Sequence, residues 1–195
     1  MPAREPVSRR DRPARPALSR AAMVAAGLAI ADLEGLDAVT MRRVARRLDT
    51  SASALYVYLR DRDDLLDAMF DQVMAPVAQA ALPSGSWREG LSWLLLESVW
   101  AASGHGGLAR VALARVPAGP NAIEITARVR SLLADGDIPQ AAIPAALDLL
   151  ALFVTGAALD RVPVTSVAPA QHRRLLRWEI DVILNGLAVT APDPG

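Results

Sequence analysis

Four residues able to cap a helix, Ser19, Thr40, Ser51 and Asp61, each stand directly ahead of apolar residues spaced by threes and fours. That succession limits the fold more tightly than any other feature, because an N-cap side chain accepts from backbone N–H groups that only a helix start leaves unpaired. After Ser19, the residues Ala21, Val24, Ala25, Leu28 and Ala31 share one face, and Gly35 closes the segment. After Thr40, Met41, Val44, Ala45 and Leu48 fall together, with Arg42, Arg43, Arg46 and Arg47 on the other sides. After Ser51, a stripe of Ala52, Leu55 and Leu59 leaves Ser53, Ala54, Tyr56, Val57 and Tyr58 more open. Asp61, with Asp64 in the first turn, then opens a longer apolar-periodic segment reaching about Leu82.

The same devices continue to the end of the chain. Ser86 and Glu89 form a capping box ahead of a helix from Trp87 to Ser103, and Gly104, Gly106 and Gly107 break it. A short helix over 108–116 follows, then a turn from Pro117 to Pro120. Asn121 with Glu124 is expected to cap the next helix, which runs to about Ala134, and "DGDIP" separates it from an apolar helix over about 140–160. A last helix covers about 168–186. Alternation at period two is absent, so the expected class is all-α with about nine helices. Its organisation is a basic arm over 1–18, a three-helix unit over 19–65, a larger helical domain over 66–188 and a tail over 189–195.

Composition narrows the chemistry. With 195 residues, 52% of them apolar, the chain can bury a substantial core, and the absence of cysteine excludes disulfides, thiolate metal sites and a cysteine nucleophile. The first 18 residues hold five arginines and four prolines without an apolar stretch, which reads as a flexible basic arm and not as a secretion signal; the cytoplasm is the default location. The segment from Ala141 to Leu159 is nearly long enough to span a bilayer, but it carries Asp148 in its interior and Pro144 near its start, and it reads as a buried or subunit-facing helix. Net charge is zero overall yet uneven: residues 1–62 carry +5 and residues 63–195 carry −5.

Three short helices, the last two joined by a few residues around Asp49 and Thr50, suit a helix-turn-helix, which presents its final helix to the DNA major groove. A plain three-helix bundle with a solvated charged face has the same pattern. Charge favours the DNA reading, since arginines concentrate in the arm and second helix, and hydroxyls of Tyr56 and Tyr58 lie on the open side of the third.

The stretch "GLAIADLEGLDAVTMRRVARRLDTSASALYVYLRDRDDLLDAM" resembles the N-terminal DNA-binding domain of the TetR family of bacterial transcriptional regulators. The resemblance rests on the Gly35 turn, "VTMRRVARRL", the Leu55–Tyr56 pair, Tyr58, Arg62 and "DLLDA". It implies a ligand-responsive regulator, most often a repressor, that binds a palindromic operator in double-stranded DNA as a homodimer. Arg42 matches a position that reaches a base edge, with Arg43 beside it; Thr40, Tyr56 and Arg62 match phosphate contacts; Ser51, Ser53, Ala54 and Tyr58 match the recognition-helix region. Ala52, Ala54 and Val57 offer no hydrogen bonds, so base reading falls to Arg42, Ser53, Tyr58 and contacts with thymine methyls. Arg9, Arg10, Arg12 or Arg15 could add minor-groove contacts.

The remainder of the chain matches the family more loosely, in helix count and in "GPN" and "TGAALD". Phe70, Met74, Trp93, Leu96 and Trp100 are dense enough to line an effector pocket and equally suited to a core, while His105, Asn121, Glu124, Arg128 and Thr155 are candidate polar anchors. The tetracycline sensors hold their drug as a magnesium chelate through a histidine on the short sixth helix. Here Val111 or an apolar neighbour stands at that place, so the expected effector is apolar, with no metal and no cofactor. Leu147, Leu150, Val154, Leu175, Trp178, Ile180 and Leu184 are the expected dimer contacts in a four-helix bundle. The rival readings are an all-helical enzyme or a small-molecule-binding protein without DNA. Two scattered histidines and no nucleophile motif leave an enzyme without its usual groups.

Overall fold

The computed structural model describes residues 18–105, 107–114, 117–160 and 169–189. The four capping residues start four helices. Ser19 Oγ accepts from the Ala22 N–H at 3.1 Å, Thr40 Oγ1 from Arg43 at 3.1 Å, Ser51 Oγ from Ala54 at 3.3 Å, and Asp61 Oδ1 from Asp64 at 2.7 Å. The resulting elements are α1 (Arg20–Glu34), α2 (Met41–Arg47), α3 (Ala52–Leu55) and α4 (Arg62–Gln79). A 3-10 turn, Leu36–Ala38, bridges α1 and α2. Beyond them lie α5 (Trp87–Ser103), begun by the Ser86–Glu89 capping box, α6 (Ala109–Ala114), α7 (Pro120–Asp135), α8 (Ile143–Asp160) and α9 (Pro169–Val189). Among the described residues there are nine α-helices and no strand, as the sequence predicts.

Boundaries differ where a backbone conformation or a distant side chain decides them. The third helix is one α-turn followed by looser turns to Tyr58, although Leu55 and Leu59 are buried as the stripe requires. Between α2 and α3 the chain reverses at Asp49, which has φ +51°, and the Thr50 N–H closes onto Ala45 O at 2.9 Å. An aspartate tolerates this left-handed turn better than most side chains, so no glycine marks it. The helix α8 starts at Ile143, with Pro144 in its first turn where no N–H is needed. The basic arm, including Arg9, Arg10, Arg12 and Arg15, and most of the tail lie outside the described residues.

One continuous core runs the length of the molecule. At one end Met23, Ile30, Val44, Leu55, Leu59 and Leu65 close the three-helix unit; at the other Leu91, Leu94, Leu96, Leu133, Ile143, Ile180 and Leu184 fill the larger domain. The helix α4 belongs to both. Its first half packs on α1, where Gly27 lets the backbone approach Met69: a Cβ at Gly27 would lie 2.6 Å from the Met69 Sδ. Its second half, through Val73, Met74, Val77 and Ala78, enters the larger core against α5 and α7. Among the described residues no helix is long and apolar enough to cross a membrane.

Candidate DNA interface, effector core and self-association face

The three-helix unit is tied down on its inner side and open on the other. Arg20, from α1, donates to Asp64 Oδ1 at 2.7 Å and to Tyr58 O at 3.1 Å, so it fixes both the end of the recognition segment and the start of α4. Asp64 also accepts from the Arg60 N–H at 3.0 Å. The Arg20 hydrogen bond, followed by that N–H and the charges of Arg20 and Arg60, holds the Asp64 carboxyl at about 2, below the ordinary 3.8, against the opposing effect of its burial. A depressed carboxylate pKa contributes stability that is complete above the unfolded value and is lost as pH falls through the folded one. The stability gap between the wild type and Asp64→Asn should therefore be constant above about pH 4 and shrink toward zero by about pH 2 in thermal melts.

On the open side Thr40, Arg42, Arg46, Arg47, Ser51 and Ser53 are exposed, with Tyr56 at 55%, Val57 at 79% and Tyr58 at 42% exposure. Ser51 and Ser53 share a hydrogen bond of 2.9 Å, and Ala54 is half-buried. Arg43 is drawn to Glu34 Oε1 at 2.6 Å, which positions its guanidinium at the α1–α2 corner. Arg62 has an intrachain role beside the phosphate contact its motif position implies. Its Nε donates to Val39 O at 2.6 Å and its Nη2 to Leu36 O at 3.0 Å, so these donors tie the turn before α2 to α4. Arg46 and Arg47, which the sequence places on the polar side of the second helix, are open here; Arg60, exposed beside the reading segment and 3.5 Å from Asp64, is a further cation that the sequence reading did not single out.

In the larger domain most of the predicted polar anchors have structural partners. His105 Nδ1 pairs with Asp32 Oδ1 of α1 at 2.9 Å, across the boundary between the two domains. The predicted Asn121–Glu124 cap does not form: Gly119 takes the N-cap position, Glu124 is exposed, and Asp71 of α4 caps α7 instead. Its Oδ1 accepts from Asn121 N at 3.0 Å and Ala122 N at 3.1 Å, while Asn121 Nδ2 donates to Asp71 Oδ2 at 2.8 Å. Arg128 donates to Val77 O, Ala78 O and Ala80 O at 2.8–2.9 Å and closes the end of α4. Thr155 is buried.

Phe70, Met74 and Leu96 are core residues, exposed by 7% or less, and Trp93 and Trp100 are half-buried. Arg173 of α9 lies 5.1 Å from the centre of the Trp100 ring and 3.4 Å from Glu97 Oε1. Where α4, α6 and the lead-in to α7 meet, Phe70, Asp71, Val111, Pro117 and Gly119 enclose a cavity of about 10 Å³, room for a single water. Among the described residues no group of three or more acidic or histidine side chains could hold a metal ion.

The α8–α9 surface redistributes the expected dimer contacts. Leu150, Ile180 and Leu184 are exposed by 2% or less and belong to the chain's own core, since α8 and α9 both pack on α5. Leu147 and Val154 are half-buried. The open apolar set is Leu149 and Leu152 on α8 with Leu175, Trp178 and Val182 on α9, exposed by 44–64%. Of these, Leu175 and Trp178 carry the sequence expectation; the others needed the helix rotation to be known.

A two-helix reading unit held from behind, seated on a helix that it shares with a larger helical domain, is the build of a helix-turn-helix regulator. Known proteins give the same class: residues 23–69 match "Bacterial regulatory proteins, tetR family" and residues 79–177 match "Tetracyclin repressor-like, C-terminal domain". The chain belongs to the tetR family of bacterial regulatory proteins. It is 33% identical over 79% of its length to the HTH-type transcriptional repressor DrrR1 of Streptomyces coeruleorubidus, spanning 57% of that protein. A second curated relative, an HTH-type transcriptional regulator of Saccharopolyspora erythraea, is 30% identical and is spanned over 60% of its length. The chain thus covers less than two thirds of either relative. Among solved structures, ActR of Streptomyces coelicolor superposes with a TM-score of 0.77 at 30% identity, over 89% of this chain and 96% of that one.

Proposed function

We propose that the protein is a cytoplasmic, ligand-responsive transcriptional repressor that grips a palindromic operator as a homodimer and is released by a small, largely apolar effector. The observation that carries this reading is the open side of α2 and α3. Arg42, Arg46 and Arg47 stand free of the carboxylates that hold Arg20 and Arg43, beside the exposed hydroxyls of Tyr56 and Tyr58. Cations and hydroxyls together suit phosphate, and one arginine suits a guanine edge. BioQ, at 26% identity with a TM-score of 0.73, has been solved with its double-stranded DNA operator, and ActR has been solved with actinorhodin. Val111, which with its apolar neighbours is the expected counterpart of the magnesium-binding histidine of the tetracycline sensors, lines the small cavity beside Phe70, which supports an effector held without a metal. In this reading an effector that enters beside Val111, where there is room for about one water, parts α4 from α6, and that parting would reach the DNA unit.

A gel shift on the duplex flanking the protein's own gene tests the DNA role. Binding should weaken steeply between low and moderate salt, Arg46→Ala should reduce the slope of log affinity against log salt by about 1 per subunit, about 2 for the dimer, and Arg42→Ala should cost about 1–3 kcal/mol per half-site. Failure of the wild type to shift this or any other duplex at low salt would sink the proposal.

A further inference from the structure

The helix α4 carries the DNA-reading unit out of the larger domain, and its attachment there is unusually polar. Four hydrogen bonds join Asp71, at the middle of α4, to the start of α7: two from the Asn121 and Ala122 N–H groups to Oδ1, and two from Asn121 Nδ2, to Oδ2 and to the Asp71 carbonyl, all 2.8–3.1 Å. The carboxylate serves as the N-cap that α7 lacks in its own sequence, where Gly119 makes no side-chain cap. A Cβ at Gly119 would collide with the Asp71 carboxylate, so the "GPN" stretch has a glycine where α4 presses against it. Two turns further along α7, Arg128 binds the last carbonyls of α4. Both attachments come from α7, and between them they fix the position and direction of α4.

We infer that Asp71 and Asn121 are positioning residues for DNA binding: their clasp sets the angle at which α4 presents the helix-turn-helix, and thereby the spacing of the two reading units in the dimer. The inference rests on the dimeric DNA-binding reading for its consequence, though not for the clasp itself. Hydrogen bonds to a carboxylate are strong and directional, whereas the apolar contacts that α4 makes with α5 and α7 tolerate small slides and rotations. Without the clasp α4 has several packings of similar energy. With it, one is selected. The small cavity adjoins the clasp through Asp71 and Gly119, so anything that wedges Phe70 from Val111 also pulls on Asp71.

The chain has no cysteine, so introduced ones can be spin-labelled alone. Asp37→Cys in the three-helix unit and Asp135→Cys at the end of α7 are both at exposed positions. Doubly labelled chains diluted with unlabelled ones report the intrachain distance by pulsed electron resonance, and chains labelled at 37 alone report the distance across the dimer. Asn121→Asp sets two carboxylates against each other and should roughly double the width of both distributions, since a released element samples more than one packing. Adding Asp71→Asn sets an amide donor against the new carboxylate and leaves an amide oxygen to accept from the α7 N–H groups, and should narrow them again. Thermal melts accompany every variant, and Asn121→Ala, which leaves the backbone N–H bonds, replaces Asn121→Asp if the latter does not fold. An intrachain distribution that stays narrow in the folded variants overturns the inference. A broadened intrachain distribution in chains that show no distance across a dimer supports the clasp and removes the dimeric reading.

Discussion

Trp178→Glu is expected to leave the chain folded, make it monomeric in sedimentation, and lower its affinity for a palindromic duplex by about a hundredfold or more, the usual loss when two linked contacts become one. The reason lies in how α8 and α9 divide their apolar residues. Leu150, Ile180 and Leu184 are spent inside the chain, leaving Leu149 and Leu152 on α8 and Leu175, Trp178 and Val182 on α9 open to solvent. Five large apolar side chains open on two helices that both pack on α5, with Gly156 of α8 also exposed, make a surface that water covers poorly and that a symmetry mate would cover well. Trp178 is 63% exposed in the single chain, so its replacement removes little intrachain packing, while a carboxylate at its position would have to be buried without a partner in the dimer. Affinity for a half-site duplex should change little. A dimer that survives Trp178→Glu together with Leu152→Glu would show that the subunits meet elsewhere.

The second large effect is expected at Arg62. As a phosphate contact alone, its removal would weaken DNA binding and leave stability untouched. In the structure its guanidinium reaches back to Val39 O and Leu36 O, and the side chain is half-buried. Arg62→Ala takes the donor from Val39 O, leaves Leu36 O with the Val39 N–H alone, and frees the turn that leads into α2. It should destabilise the protein by about 2 kcal/mol, the range for hydrogen bonds to a charged group. The loss should be visible in urea titration without DNA and insensitive to salt. Arg62→Lys, which supplies a charge but not a planar fork, should recover only part of it. An unchanged urea midpoint in Arg62→Ala would return Arg62 to the phosphate backbone.

Much of the DNA unit could be read from residues alone because its determinants are local. Ser19, Thr40, Ser51 and Asp61 cap helices through side chains that bond within three residues, and the apolar spacing selects a buried face whatever that face meets. Resemblance to a family added which open residues are expected to face DNA. It did not show the structural role of Arg62, because a motif position does not reveal that a carbonyl 23 residues away in sequence has come within reach. The polar residues of the larger domain were harder still. Asn121, Arg128 and His105 look like free anchors in a linear reading, and each is paired with a residue 48–73 positions away.

The all-α class, the helix-turn-helix and the basic character of the N-terminal third follow from periodicity, caps and charge, which act over a few residues and are written in neighbouring positions. Which face of α8 and α9 stays open and which carboxylate caps α7 depend on the rotation and separation of helices far apart in the chain. So does the room beside Val111, which is a water's worth and no more. Packing sets those quantities, and the side chains that report them, Asp71 above all, carry no local sign of the partner they will find.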